Sequence, residues 1–169
     1  QIGAADGYLP FADVFAAGKI LAGRRFSLTT CTITDALDGV GWLGGKLYGE
    51  QRLKALASYL ERRGVHVKIG DEYLDLNQAA AFGLRPYGRP QFLLGTNPTE
   101  YQVWHELSHY LHYRQIGAEA YRALPRSEDW HAAEQFVFDM LERPGRWNRL
   151  NFEEQQHAID YIERIGGFR

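Results

Sequence analysis

The chain has 169 residues, 45% hydrophobic and 24% charged, and its 19 Lys and Arg against 21 Asp and Glu leave a formal charge of −2. This is the composition of an ordinary globular domain, long enough to bury a core without staples. The lack of a basic excess speaks against a nucleic-acid or anionic-membrane binder, and a single cysteine, Cys31, excludes an internal disulfide framework.

No apolar run reaches the ~18 residues of a membrane helix, because Lys19, Arg24 and Arg25 interrupt the best stretch. A secretory signal pattern is absent. The chain begins at Gln1 and its one methionine is Met140, so the expectation is a piece of a longer polypeptide.

In chain order, Phe11, Val14, Phe15, Gly18 and Leu21 predict a short amphipathic helix over 10–22, and Phe26–Thr34, which holds Leu28, Cys31 and Ile33, reads as a strand. Gly39, Gly41, Gly44, Gly45 and Gly49 then suggest a mobile connection. The formal GxGxxG at Gly39, Gly41 and Gly44 lacks the strand and βαβ unit that a dinucleotide site needs. Leu53, Leu56 and Leu60 predict a helix over 51–63 that Gly64 ends. Val65, Val67 and Ile69 alternate with His66 and Lys68 as in a half-buried strand, Gly70-Asp71 is a turn, and Tyr73–Leu76 a returning strand. Gln91–Leu94, just after Pro90, reads as an edge strand and hence as a place where an extended peptide could pair.

Beyond it the chain turns helical. Asn97 as cap, Pro98 at the first position and Glu100 after it predict a helix to Ile116 with Gly117 as its stop. A second helix is expected over 128–141, ahead of Pro144, and a third from Asn151, with Glu154 completing its cap, to Gly166-Gly167. The fold class is α+β, a small mixed or antiparallel sheet followed by C-terminal helices. Residues 1–50 form a leading helix, strand and Gly-rich connection, and residues 51–169 the main domain.

Three of the six histidines fall within eight residues. His105-Glu106-Leu107-Ser108-His109 is an HExxH, of which a chain of this composition would show about 0.015 by chance. At ~100° per residue His109 lies ~40° from His105, so both imidazoles leave the helix on one face. Val103, Trp104, Leu107, Tyr110 and Leu111 fall on the opposite side, where a core would cover them. Histidines one turn apart suit Zn–N bonds of ~2.0–2.1 Å, and Glu106 between them is placed to act on water without being a ligand. His112 shares the face, but at ~1.5 Å rise per residue it lies about 10.5 Å along the axis from His105, too far for a shared tetrahedral ion.

A third ligand therefore has to come from another element. On the 128–141 helix Glu134 falls inside the apolar arc formed with Trp130, Ala133, Val137 and Leu141, and a carboxylate is rarely buried without a partner. A metal ion would be such a partner; an arginine such as Arg126 is the alternative. His131, Glu128, Asp129 and Glu119 are further candidates. His112, Tyr121 and His131 could line the cleft or stabilise a transition state, as could Tyr113, His157 and Tyr161.

The run Pro98-Thr99-Glu100-Tyr101 ahead of the HExxH, Gly117 and Tyr121 after it, Glu134-Gln135 with Val137 and Asp139, and then Asn151, Glu154, Ala158 and Tyr161 resemble the zincin-like metallopeptidase toxin domains of bacterial polymorphic toxins. The Leu56-to-Val67 segment fits as well, so the resemblance spans about residues 51 to 169. It implies a zincin-like fold and a Zn²⁺ endopeptidase with His105, His109 and Glu134 as metal ligands and Glu106 as catalytic base. It further implies a place at the C-terminal tip of a larger secreted effector of the Rhs type, delivered into a target cell. The implied partners are a protein or peptide substrate there, a carrier polypeptide and a cognate immunity protein; nucleic acid and membrane are not among them. Two other readings compete: a zincin-like binding module without activity, and a two-His-one-carboxylate Fe(II) enzyme. The intact Glu106 argues against the first, and the helix-borne histidine pair beside it against the second.

Overall fold

A computed structural model describes residues 40–76, 78–127 and 130–165. The predicted helix over 10–22, the strand Phe26–Thr34 with Cys31, and the residues Gly39, Glu128, Asp129 and Gly166-Gly167 lie outside them. Contacts divide the described chain into two compact units, one of residues 49–96 and one of residues 40–48 with 97–165. The architecture is mixed α+β, with six α-helices and a small three-stranded mixed sheet among the described residues. No helix among them is long and apolar enough to cross a membrane.

In the first unit α1 spans Glu50–Glu61 and turns Leu53 and Leu60 into the core. Gly64, at φ +81°, ends the helical segment in a conformation that glycine adopts freely. Arg89 then closes that end, donating to the carbonyls of Gly64 at 2.9 Å, Val65 at 3.2 Å and Glu61 at 3.3 Å, where a cation also suits the helix dipole. Strands β1 (His66–Ile69), β2 (Ala80–Gly83) and β3 (Gln91–Leu94) follow.

Two expectations for this sheet need correction. β3 is its central strand, parallel to β1 and antiparallel to β2. With neighbours bonded on both sides, it has no edge to offer a peptide. Pro90 is no obstacle, because it precedes the strand and contributes its carbonyl, which accepts from His66 N–H at 2.7 Å. The returning strand is Ala80–Gly83, whereas Asp71–Tyr73 forms a single 3₁₀ turn. Phe82 and Phe92 sit opposite each other in register with their rings edge to face at 6.4 Å, and with Leu60, Val65 and Leu94 they make the buried centre of this unit.

The second unit is helical. α2 spans Glu100–Ile116, α3 Ala118–Arg122, α4 Ala132–Leu141, α5 Pro144–Trp147 and α6 Phe152–Arg164. A two-residue ladder of β4 (Arg126–Ser127) against β5 (Trp130–His131) leads into α4. The cap of α2 is Thr99, two residues later than expected. Its hydroxyl accepts from Gln102 N–H at 3.3 Å, while the Gln102 side chain accepts from Thr99 N–H at 2.7 Å. The delay has a cause: Pro98 O accepts from Tyr48 N–H and Thr99 bridges to Leu47, so residues 98 and 99 are held extended. At the other end Gly117 is indeed the stop, at φ +85°.

Nor is the Gly-rich stretch a loose connection over its described part. Trp42–Gly44 forms a 3₁₀ turn closed by a Val40–Lys46 bridge. Asn151 uses both ends of its amide to hold this turn to α6: Oδ1 accepts from Glu154 N–H at 2.8 Å and Nδ2 donates to Leu43 O at 2.9 Å. That second bond anchors Leu43 at φ 55°, an uncommon backbone region for a leucine. The Glu154 carboxylate completes the capping box by accepting from Asn151 N–H at 3.0 Å. A Cβ on Gly45 would collide with Glu154 Oε1. Gly45→Ala should therefore push Glu154 out of the box and cost about 1–2 kcal/mol, read as a lower denaturation midpoint. An unchanged midpoint would show that Glu154 can move aside freely.

Candidate metal centre

α2 was expected to cover one face and offer the histidines on the other. Instead nearly its whole circumference is covered: residues 101–106, 108–110 and 112 are buried, and only Leu107 and Leu111 on the expected core side are partly exposed. The histidine face is buried because α4 packs along it. Ala132 and Ala133 open α4 with small buried side chains. On the flank of the helix Ser108 donates to Trp104 O at 2.7 Å and accepts from Arg146 of α5 at 3.1 Å.

Glu134 lies between the two histidines. Its Oε2 is 3.2 Å from His105 Nε2 and its Oε1 is 3.0 Å from His109 Nε2, and the three side chains are 3–8% exposed. The alternative partner Arg126 is engaged with backbone carbonyls, those of Tyr121, Arg122 and Leu124. Burial on its own would raise the Glu134 carboxyl, but the two imidazoles, His109 foremost, hold it well below the usual carboxylate range. Burial lowers His105 despite that carboxylate, whereas at His109 the attraction of Glu134, aided by Glu106, overcomes burial and raises it.

The donor set fits a metal ion. Two imidazole nitrogens and a carboxylate oxygen lie within 4.8 Å of one another. The two N···O separations are close to the ~3.3 Å edge of a tetrahedron built on ~2 Å bonds. All three donors are buried, and His109 has a hydrogen-bond partner on its other ring nitrogen, Tyr121 Oη at 2.9 Å from Nδ1, as ligating histidines usually do. A small cavity behind His105 and Glu134 is walled by Tyr101, Val137, Leu141, Tyr161 and Ile162. A larger one of about 300 Å³ in the first unit, between Tyr73, Asp75, Arg85 and Gln91, holds no such group of donors. Of the two, the smaller touches the donor group, at His105 and Glu134.

The remaining candidates are distributed around this centre. Glu106 is 3% exposed, and its charge acts on both His109 and Tyr121. His131 caps α4, its Nδ1 accepting from Glu134 N–H at 3.4 Å. His112 lies flat on Phe136, ring centroids 4.0 Å apart, and burial lowers its pKa. Glu119 is exposed on α3. Tyr161 stands edge-on to His105 at 5.9 Å and stacks on His157, whose Nδ1 meets Tyr101 Oη at 3.0 Å. Trp42 completes this aromatic wall, edge-on to His157 at 4.8 Å. Sequence reading missed Trp42 and Tyr101; the hint available for Tyr101 was an aromatic one turn ahead of His105.

Fold and site together define a mixed α+β protein with a buried His-His-Glu group able to hold a metal ion. Comparison of the chain with protein-family models, with curated proteins and with solved structures finds no match.

Proposed function

We propose that this chain is a zinc-dependent endopeptidase, the toxin domain of a larger secreted effector that cuts a protein in a target cell and is held in check by an immunity protein. The observation that carries the peptidase reading is the convergence of Glu134 on the two histidines of an HExxH helix. The toxin role rests on the resemblance in the flanking residues. Zinc bound there would supply a Lewis acid and lower the pKa of water toward ~7. Glu106 takes the proton of the attacking water and passes it to the leaving amine. Tyr161, on the cavity wall beside His105, is the best placed of the candidate donors to a developing oxyanion.

Elemental analysis of the purified protein tests this reading, together with hydrolysis of a denatured protein substrate before and after treatment with a chelator. Zinc near one equivalent and hydrolysis lost with the chelator and restored by zinc are expected. Bound iron with oxygen-dependent turnover would support the Fe(II) reading instead. Zinc without hydrolysis would support a binding module.

A further inference from the structure

We propose that Tyr121 is the positioning residue of the metal centre: its hydroxyl oxygen accepts the Nδ1 proton of His109 and so commits Nε2 of that ring to the cation. The proposal rests on the metal-centre reading above.

The geometry is direct. Tyr121 is fully buried and its Oη lies 2.9 Å from His109 Nδ1, the ring nitrogen opposite the one that faces Glu134. An imidazole that ligates through Nε2 carries its proton on Nδ1, and that proton needs an acceptor in a buried site. The phenol oxygen is such an acceptor and brings no charge. Its neutrality matters, because Glu134 and Glu106 already act on this position and a third carboxylate would repel both.

The phenol is also held in place, as an orienting group must be. Gly117 breaks the helix so that α3 starts at once and folds Tyr121 back towards His109, twelve residues earlier. Arg126 donates to Tyr121 O at 3.0 Å, and its other terminal nitrogen donates to Arg122 O and Leu124 O, so one guanidinium ties down the end of α3. The rings of His112 and Tyr113 stand edge-on to the phenol at 5.6 and 6.2 Å. This constraint leaves the hydroxyl little freedom to turn from His109.

The test compares zinc affinity, by competition with a chromophoric chelator, for the wild type, Tyr121→Phe and Tyr110→Phe. Tyr110 is equally buried but packs on Tyr113 and serves as the control for loss of a buried hydroxyl. Tyr121→Phe should bind zinc about 10–100-fold more weakly, with Tyr110→Phe close to wild type. Equal affinity for Tyr121→Phe and wild type overturns the proposal and leaves the metal centre standing. A wild type that binds no zinc overturns the metal centre and the proposal with it. Should Tyr121→Phe melt early, the zinc-loaded wild type decides by ¹⁵N NMR of the His109 ring. A slowly exchanging Nδ1–H supports the assignment, and a protonated Nε2 overturns it.

Discussion

Glu106→Gln is expected to abolish peptide hydrolysis, by about 10²–10⁴-fold in kcat/KM, while zinc stays bound at one equivalent. The two effects separate because the donor group able to hold the ion is His105, His109 and Glu134, and Glu106 is not among them. Glutamine keeps the shape of the side chain and its capacity to hydrogen bond, so little repacking should follow. What it removes is the proposed base, together with a buried negative charge that acts on His109 and Tyr121. With only 3% of the residue exposed, burial penalises that charge in the folded state, so the variant should melt no lower than the wild type. Three measurements check this: zinc by elemental analysis, hydrolysis of a denatured protein, and growth of bacteria expressing each form. Wild-type hydrolysis by Glu106→Gln would remove Glu106 from the mechanism. Growth arrest that persists after hydrolysis is lost would show that toxicity comes from binding and not from cleavage.

The parts of this centre that could be read from the chain are those fixed by spacing along one helix. An i, i+4 histidine pair shares a face wherever the helix goes, and Glu134 stood out because its position on its own helix fell within an apolar arc. The caps at Asn151 and the stop at Gly117 were legible for the same reason, since both depend on neighbours only a few residues away. What escaped depends on distant partners. Thr99 displaces Asn97 as the cap because Tyr48 and Leu47 hold residues 98 and 99 extended, and nothing near Asn97 records that contact. The strand Ala80–Gly83 contains no β-branched residue and no alternation, so it owes its strand form to pairing with β3. β3 itself is a buried apolar run whose proline points to an edge, although a proline before the first residue leaves both ladders intact. The burial of α2 on its histidine side is set by α4, an element remote from it in the chain, and nothing in α2 records that contact. Tyr121 is the sharpest case: a tyrosine in a five-residue helix meets His109 only because Gly117 turns the chain between them.

Glu134→Gln should damage the centre more than any single change outside the HExxH. The carboxylate supplies one of three protein donors and the only negative charge among them, so its loss should weaken zinc binding beyond the 10–100-fold that an outer hydrogen-bond partner is worth. It should also destabilise the metal-free protein. With Glu134 present, each of its oxygens answers one imidazole at 3.0–3.2 Å. An amide presents one oxygen and one N–H₂, so one of the two Nε2 atoms then faces a donor where it had an acceptor. Removing one member of a buried charge pair typically costs about 3–5 kcal/mol because the other is left without compensation. The loss here should be near the lower end, about 3 kcal/mol, since an imidazole, unlike a guanidinium, has a neutral form at ordinary pH. Chemical denaturation in the presence of a chelator measures the stability term, and chelator competition measures the affinity. Substitution of Asp139, on the exposed face of the same helix and bonded to Gln135 at 2.9 Å, should change neither. Full zinc binding by Glu134→Gln would mean that the third donor comes from elsewhere, and that the Glu134 carboxylate serves only to pair the two buried imidazoles.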